Sequence, residues 1–333
     1  MKREGLFRTR DVEDTVEEIY FPVSPFMIFP EAYIELAIYL KKGRNYILLA
    51  NQAEYFNERN KSVLHENGVE EVYLKTSQRA SYDAYIEQNL ARLLWDLTIP
   101  LNVRSEVLYY SATKALDEIF ESSRYMLSAA HLQKLFNIAR SSVAFFSGGK
   151  ALRTLLPVLN PVFAPHTHCA NVFIFSLSIF ETFPASENEK AELGLGALLH
   201  DIGQSIIPKM ILNKRGKLNT EERELVRLHP IKGVSMCSQV PIGQTALNCI
   251  LFHHEKGDGS GYPAGLAAHH IPLPAKIVGL AHAYAMLTSK RAKTDPLSPI
   301  RALSVIRDNM EGCYDFDLIQ RLTTVLTAAG VEL

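Results

Sequence analysis

The chain has 333 residues, 47% hydrophobic and 21% charged, with a formal net charge of -1. This ordinary globular composition excludes a disordered or fibrous protein and leaves room for two domains, or three small ones, each with its own core. The near-neutral balance excludes a dedicated binder of duplex nucleic acid, because phosphate-driven affinity needs a basic excess.

The opening "MKREGLFRTRDVEDTVEEIY" lacks the apolar core of a signal peptide, and no run of about eighteen apolar residues follows. The expectation is a cytoplasmic protein with no membrane span. From about 18 to 100, "IYFPVSPFMIF" and "NYILLAN" are β-branched and aromatic stretches bounded by Pro, Gly and Asn, and are read as strands. The amphipathic "FNERNKSVLHE" is read as a helix, followed by a turn and a strand in "NGVEEVYLK". This is a small α+β module over 1–104.

From Ser105 the spacing of apolar residues changes to three and four, and helices dominate to the end of the chain. The stretch 105–160 is read as connecting helices, which offer either a homodimer interface or a face that packs on the same chain. Between Gly and Pro punctuation, "NVFIFSLSIFETF", "EKAELGLGALLHDIG", "NTEERELVRLHPIKGVSMCSQV", "QTALNCILFHHE", "LPAKIVGLAHAYAMLTS", "SPIRALSVIRDNM" and "DFDLIQRLTTVLTAAG" form an all-α unit over 161–333. Asn219 or Thr220, followed by Glu residues, reads as a helix N-cap. Cys169, Cys237, Cys249 and Cys313 have no Cys-x-x-Cys spacing and read as small buried hydrophobes, not a disulfide framework.

The stretch "HHEKGDGSGYPAG" places two histidines side by side before an acid and a glycine-rich loop. Adjacent imidazoles cannot share a helix face, so they reach one centre only from a helix end or a turn. Taken alone, such a pair fits a surface or cap position as well as a metal site. Nine of the eleven histidines, however, fall between His166 and His282, mostly at helix ends. Imidazole is the commonest ligand for borderline transition metals, and a carboxylate among imidazoles can bridge two ions. Asp201, next to His200, is the natural bridge.

"LGLGALLHDIGQSIIPKMILNKRGKLNTEERELVRLHPIKG" and "HHEKGDGSGYPAGLAAHHIPLPAKIVGLAHAYAMLTSKR" together resemble the HD-GYP family, a branch of the HD-domain metal-dependent phosphohydrolases. HD-x-G, H-P-x-x-G and HHE-x-x-DGSGYP occur in order over half the chain, from about His168 onward. The resemblance implies an HD-type helical bundle, with His168, His200 and Asp201 at one metal and Asp201, His229, His253 and His254 at a second. His282 stands where the family has an Asp. It further implies hydrolysis of a cyclic dinucleotide, typically cyclic di-GMP, in bacterial second-messenger signalling, and a GYP loop able to contact a partner protein. Two such ions would hold a bridging hydroxide and polarise a phosphodiester oxygen. Asp201 and Gln204 are the candidate catalytic residues, and Gln204, Lys232 and Tyr262 the candidate substrate contacts.

The departures point to weak turnover or unusual metal use. Gln204 replaces the family's Lys, and a unit charge about 4 Å from phosphate is worth roughly 4 kcal/mol at an effective dielectric near 20. Its loss predicts a rate lower by about two to three powers of ten. His282 either joins the cluster or turns away from it. If it joins, Asp201 is left as the one anionic ligand, so Fe, Zn, Co or Ni is favoured over harder Mn or Mg, with Fe foremost and Mn as an alternative. Ala285 replaces a further family Asp. Residues 151–180 contain no Asp or Glu, so at most two metals are expected. His166 is read as a loop residue, His269 and His270 as exposed, Lys209 as solvated and Asp258 as fixing its own loop. The competing reading is a catalytically impaired module that binds metal or nucleotide and regulates a partner.

Overall fold

The computed structural model describes residues 19–29, 36–50, 63–64, 66–121, 126–147, 149–212, 214, 216–291 and 294–333. It divides into two compact units, 1–107 and 108–333, the boundary falling within the helix Leu101–Glu121. The first holds an antiparallel sheet of β1 (Tyr20–Val23), β2 (Ile38–Lys42), β3 (Asn45–Ala50) and β4 (Val72–Lys75), in the order β1-β4-β2-β3. "IYFPVSPFMIF" is therefore not one strand. β1 stops at Val23, and Ser24 caps a single 3-10 turn at Pro25–Met27, where Pro25 has no N–H to offer a ladder. β2 was not singled out in the sequence, and the helix expected over "FNERNKSVLHE" lies largely outside the described residues. Strand alternation buries Val23, Ile38, Val72 and Leu74 and gathers Tyr20, Tyr39, Tyr46 and Tyr73 into ring contacts. α1 (Arg79–Trp95) buries Tyr82, Ile86, Leu90, Leu93 and Leu94, and its Tyr85 hydroxyl accepts from Phe29 N at 2.8 Å.

The second unit is a helical bundle: the part of α2 (Leu101–Glu121) from Leu108 on, α3 (Ala129–Phe146), α4 (Pro165–Phe180), α5 (Glu187–Leu199), α6 (Thr220–Arg227), α7 (His229–Met236), α8 (Gln244–Phe252), α9 (Leu273–Thr288) and α10 (Phe316–Ala328). α4 is buried on every side from Thr167 to Phe180, as an all-round apolar sequence requires. α5 packs on α3, α4 and α8, and α9 packs on α4 and α8. The small residues of "ELGLGALLH" permit this: a Cβ at Gly196 would stand 2.6 Å from Cys249 Cβ, and one at Gly194 3.0 Å from the Phe173 ring.

The helix starts are set by local chemistry. Ser186 and Glu189 exchange side-chain and backbone bonds before α5, and Asn219 and Glu222 do so before α6, which assigns Asn219 as the cap. The run "NTEERELVRLHPIKGVSMCSQV" forms two helices, broken at Leu228 ahead of His229-Pro230, with proline in the first turn of α7.

The architecture is the expected one, a small α+β unit followed by an all-α bundle. Cys169, Cys237 and Cys249 are buried and unpaired, whereas Cys313 is only half-buried and donates to Asp258 Oδ2 at 3.6 Å. Among the described residues, no helix is long and apolar enough to cross a membrane.

Candidate metal centre

Five helices bring seven side chains to one point. His168 lies in the first turn of α4, His200 and Asp201 follow α5, His229 opens α7, His253 and His254 follow α8, and His282 projects from the middle of α9. The adjacent pair solves its geometric problem as the sequence requires: α8 ends at Phe252, and both rings turn to the centre, with centroids 4.3 Å apart. Gly203 lets the 3-10 turn after α5 (Ile202–Ile206) pack closely on α7, because a Cβ there would run into the His229 carbonyl and come within 2.6 Å of Gly233 N.

Asp201 is the hub. Its Oδ1 lies 3.1 Å from His229 Nε2 and 3.6 Å from His253 Nε2, and its Oδ2 lies 3.4 Å from His200 Nε2 and 3.8 Å from His168 Nε2. Two donor sets result, His168-His200-Asp201-His282 and Asp201-His229-His253-His254, each with ligand atoms within 4.8 Å of one another.

The donor set fits metal ions on its own chemistry. Nδ1 of His200, His229 and His253 lies 2.7, 2.7 and 2.9 Å from the carbonyls of Ala197, Val226 and Ile250, three residues back in each case. A carbonyl accepts only, so each Nδ1 carries the proton and Nε2 is left to face inward as a lone pair. His229 Nε2 and His253 Nε2 then meet at 3.2 Å, and His282 Nδ1 sits 3.0 Å from His168 Nε2 and 3.2 Å from His200 Nε2. Lone pairs converging at these distances repel unless a cation or a proton lies among them. Asp201 Oδ1 is moreover buried without a hydrogen bond, an orphaned acceptor whose desolvation a metal would offset.

Charge follows the same geometry. Burial opposes ionising Asp201, but His200 and the neighbouring imidazoles outweigh it and hold the carboxyl well below its usual range. For His200, burial is outweighed by the Asp201 carboxylate, which raises the imidazole, so in the metal-free protein a proton takes part of the place of a cation. Burial and neighbouring imidazoles lower His168 to about 3, burial lowers His253 to about 4, and His254 and His282 are also held well below 6.5 by burial.

Over this cluster lies the loop that follows His254. The Tyr262 ring stacks on His254 with centroids 4.5 Å apart and planes 19° apart, and the Arg227 guanidinium lies 5.1 Å from the Tyr262 ring centroid. Glu255 holds the loop. Its buried carboxylate accepts from Ala264 N at 2.6 Å, Gly265 N at 3.1 Å and Leu266 N at 2.8 Å. Gly261 has no room for a Cβ against the backbone of His254, Glu255 and Lys256, and Tyr262 N donates to His254 O at 3.2 Å. Sequence reasoning missed Glu255 and Arg227. The signal for Glu255 was a carboxylate directly preceding a loop whose tight turn leaves backbone N–H groups without ladder partners.

The other sequence candidates lie apart from the cluster or beside it. Gln204 is half-buried in the 3-10 turn Ile202–Ile206, with its N–H bonded to Asp201 O at 2.9 Å. Lys232 is exposed on α7, and among the described residues its ammonium makes no ion pair. Lys209 pairs with Glu121 at the surface, and His166, which lies in the first turn of α4 and not in a loop, faces Asp117 at 3.2 Å outside the cluster. His269 and His270 are exposed. Asp258 accepts from Ser260 N and Oγ, fixing its own turn. Ala285 is buried one turn beyond His282.

Residues 150–318 match the model of the HD domain family. The chain is 34% identical over 206 residues to a cyclic di-GMP phosphodiesterase of Thermotoga maritima, covering 59% of this chain and 55% of that one. It is 30% identical over 245 residues to a cyclic di-GMP phosphodiesterase of Pseudomonas aeruginosa, covering 68% and 58%. It thus spans a little over half the length of these curated relatives. An HDG"Y"P protein from Bdellovibrio bacteriovorus superposes with a TM-score of 0.64 at 22% identity, over 93% of this chain and 100% of that one, and shares the fold. With HD-x-G, H-P-x-x-G and HHE-x-x-DGSGYP folded into a single centre, the chain belongs to the HD domain family, in its HD-GYP branch.

Proposed function

We propose that this chain is a metal-dependent phosphodiesterase that opens a cyclic dinucleotide, cyclic di-GMP foremost, using two transition-metal ions. The observation that carries the reading is one buried carboxylate, Asp201, shared by two donor sets that otherwise consist of imidazoles. Two ions held there would polarise a phosphoryl oxygen and activate water at neutral pH. One anionic ligand among six imidazoles favours Fe, with Zn, Co, Ni or Mn as alternatives.

The chain's own residues supply the rest. The carbonyls of Ala197, Val226 and Ile250 fix the rings of His200, His229 and His253, so the ligand geometry is set before anything binds. Gln204, beside Asp201, can donate its amide to a phosphoryl oxygen, and Tyr262 walls the open side over His254. Lys232 is an outer contact. A neutral amide at 204 and an exposed ammonium at 232 leave the phosphate with less cationic support than a lysine beside the metals would give, which favours slow turnover. The same observation supports the second reading, a module that binds metal or nucleotide and regulates a partner through the exposed loop around Ala264 and Gly265.

The deciding experiment is metal analysis of protein purified under low oxygen, followed by cyclic di-GMP turnover on the same sample with separation of products. Metal near two equivalents per chain, with linear dinucleotide or GMP formed, is the expected result. Metal and nucleotide binding without product would establish the regulatory reading instead.

A further inference from the structure

His282 differs from its neighbours in which nitrogen it turns inward. His200, His229 and His253 tie Nδ1 to a carbonyl and present Nε2. His282 instead presents Nδ1, 3.0 Å from His168 Nε2 and 3.2 Å from His200 Nε2. The two nitrogens of an imidazole lie on opposite edges of the ring. A neutral ring that gives its Nδ1 lone pair to a cation therefore carries its proton on Nε2, on the far side.

That far side is the open one. His168, His200, Asp201, His229 and His253 are at most 2% exposed, whereas His282 and His254 are partly open to solvent. Their rings are 4.8 Å apart at 78°, beside the Tyr262 ring stacked on His254. His282 Nε2 makes no hydrogen bond to any described residue, and it is not among the buried unpartnered atoms, which include His168 Nδ1 and Asp201 Oδ1. An N–H is thus left on the side open to the approach, with no acceptor among the described residues.

We propose that His282 binds substrate as well as metal, its Nε2–H donating to a non-bridging phosphate oxygen while Nδ1 faces the ion. The inference rests on the reading of the cluster as a two-metal phosphodiester site. An ionised carboxylate at this position could face a metal but has no proton to donate and would repel the phosphate. The imidazole thereby adds a second uncharged donor to the one that Gln204 supplies. His282 becomes a substrate-binding residue that a carboxylate cannot replace.

The test uses the full chain loaded with zinc, inorganic phosphate as probe, metal content by mass spectrometry and phosphate affinity by calorimetry. His282→Asp and His282→Asn both keep a metal-side oxygen and remove the Nε2–H; Asp is left with no donor, and the Asn NH2 group sits one bond short of the Nε2 position. With metal content equal to the parent protein, each is expected to bind phosphate about tenfold or more weakly, the loss of one hydrogen bond to a charged group. Unchanged phosphate affinity in both metal-replete variants overturns the proposal and leaves the phosphodiesterase reading standing. If the zinc-loaded parent itself binds no phosphate, both fall. Should either variant lose metal, the tautomer is read on the parent protein by long-range 1H–15N correlation: an Nε2–H resonance of His282 that moves on adding phosphate supports the assignment, and an Nε2-metallated ring refutes it.

Discussion

Glu255 offers the sharpest test of how the loop over the cluster is held. Its carboxylate accepts from three consecutive backbone N–H groups, Ala264 and Gly265 at Oε1 and Leu266 at Oε2, and among the described residues no cation shares it. In Glu255→Gln the amide oxygen can retain the first two bonds, but the NH2 group then faces the Leu266 N–H, donor against donor. One buried donor left unsatisfied costs about 1–3 kcal/mol. Glu255→Ala removes all three acceptors; because Ala264 and Gly265 are exposed and can turn to water, the local cost is about 3 kcal/mol rather than three full penalties. At about 1.4 kcal/mol per decade this opens the loop roughly a hundredfold more often. Hydrogen exchange followed by mass spectrometry on the peptide spanning 259–268 reads that number directly. Exchange in α4 and α5 serves as the internal reference, since the opening is confined to the loop. Protection of the loop amides unchanged in Glu255→Ala would show that the loop is held by packing and that the three bonds are incidental.

Three further outcomes follow from the same geometry. Gly203→Ala places a methyl group against the His229 carbonyl with no flexible side chain to yield, so urea denaturation should show a loss of at least about 3 kcal/mol. Gly216→Ala, whose nearest neighbour is Lys214 Cε at 3.9 Å, should be nearly neutral; equal effects at the two positions would discredit the close approach of the turn Ile202–Ile206 to α7. Asp201→Asn keeps the shape of the hub and removes its charge, and the purified protein should hold less than half the metal of the parent, measured by mass spectrometry; full retention would remove Asp201 from the shared position. In chelator-treated protein, His168 and His253 are lowered to about 3 and about 4, so the folded state binds fewer protons than the unfolded one between those values and 6.5. Their contribution is lost as pH falls below 6.5, whereas the raised His200 contributes stability that is fully present below 6.5 and is lost only as pH rises through its folded value. With His254 and His282 also lowered, the four outweigh the one, and the melting temperature should drop by on the order of 5 °C from pH 7 to pH 5. A flat or rising profile over that window would contradict the buried neutral rings.

The bundle was legible because its helices are long, strongly periodic and capped by Ser186-Glu189 and Asn219-Glu222. The cluster was legible because all its ligands but His282 sit at or next to helix ends, where short motifs fix their placement. The sheet was less so. β2 contains "IYLKK", two lysines in five residues, and its partner across Gly43 takes the same turn signal as a loop. "IYFPVSPFMIF" misled because aromatic and β-branched content does not reveal that Ser24 and Pro25 start a turn. Glu255 was passed over for a different reason: what it bonds is backbone, which carries no residue-type signal at Ala264 or Leu266. His282 was the position the sequence left open between joining the cluster and turning away. The fold answers it through α9, whose close packing on α4 and α8 points that side chain inward.

The packing of these helices also explains why the cluster can hold such an arrangement before any ion arrives. Inward-facing nitrogens stand 3.0 to 3.2 Å apart, so any two that share no proton repel, and a flexible site would relax by rotating a ring. Here rotation is opposed at three rings by a bond from Nδ1 to the carbonyl one turn back, and at the helix level by Gly196, Gly203 and Gly279, none of which has room for even a methyl group. The ring positions are therefore held by the helix contacts as well as by the carbonyl bonds. A cation binds to a site already shaped, so its binding free energy adds to the stability of the bundle.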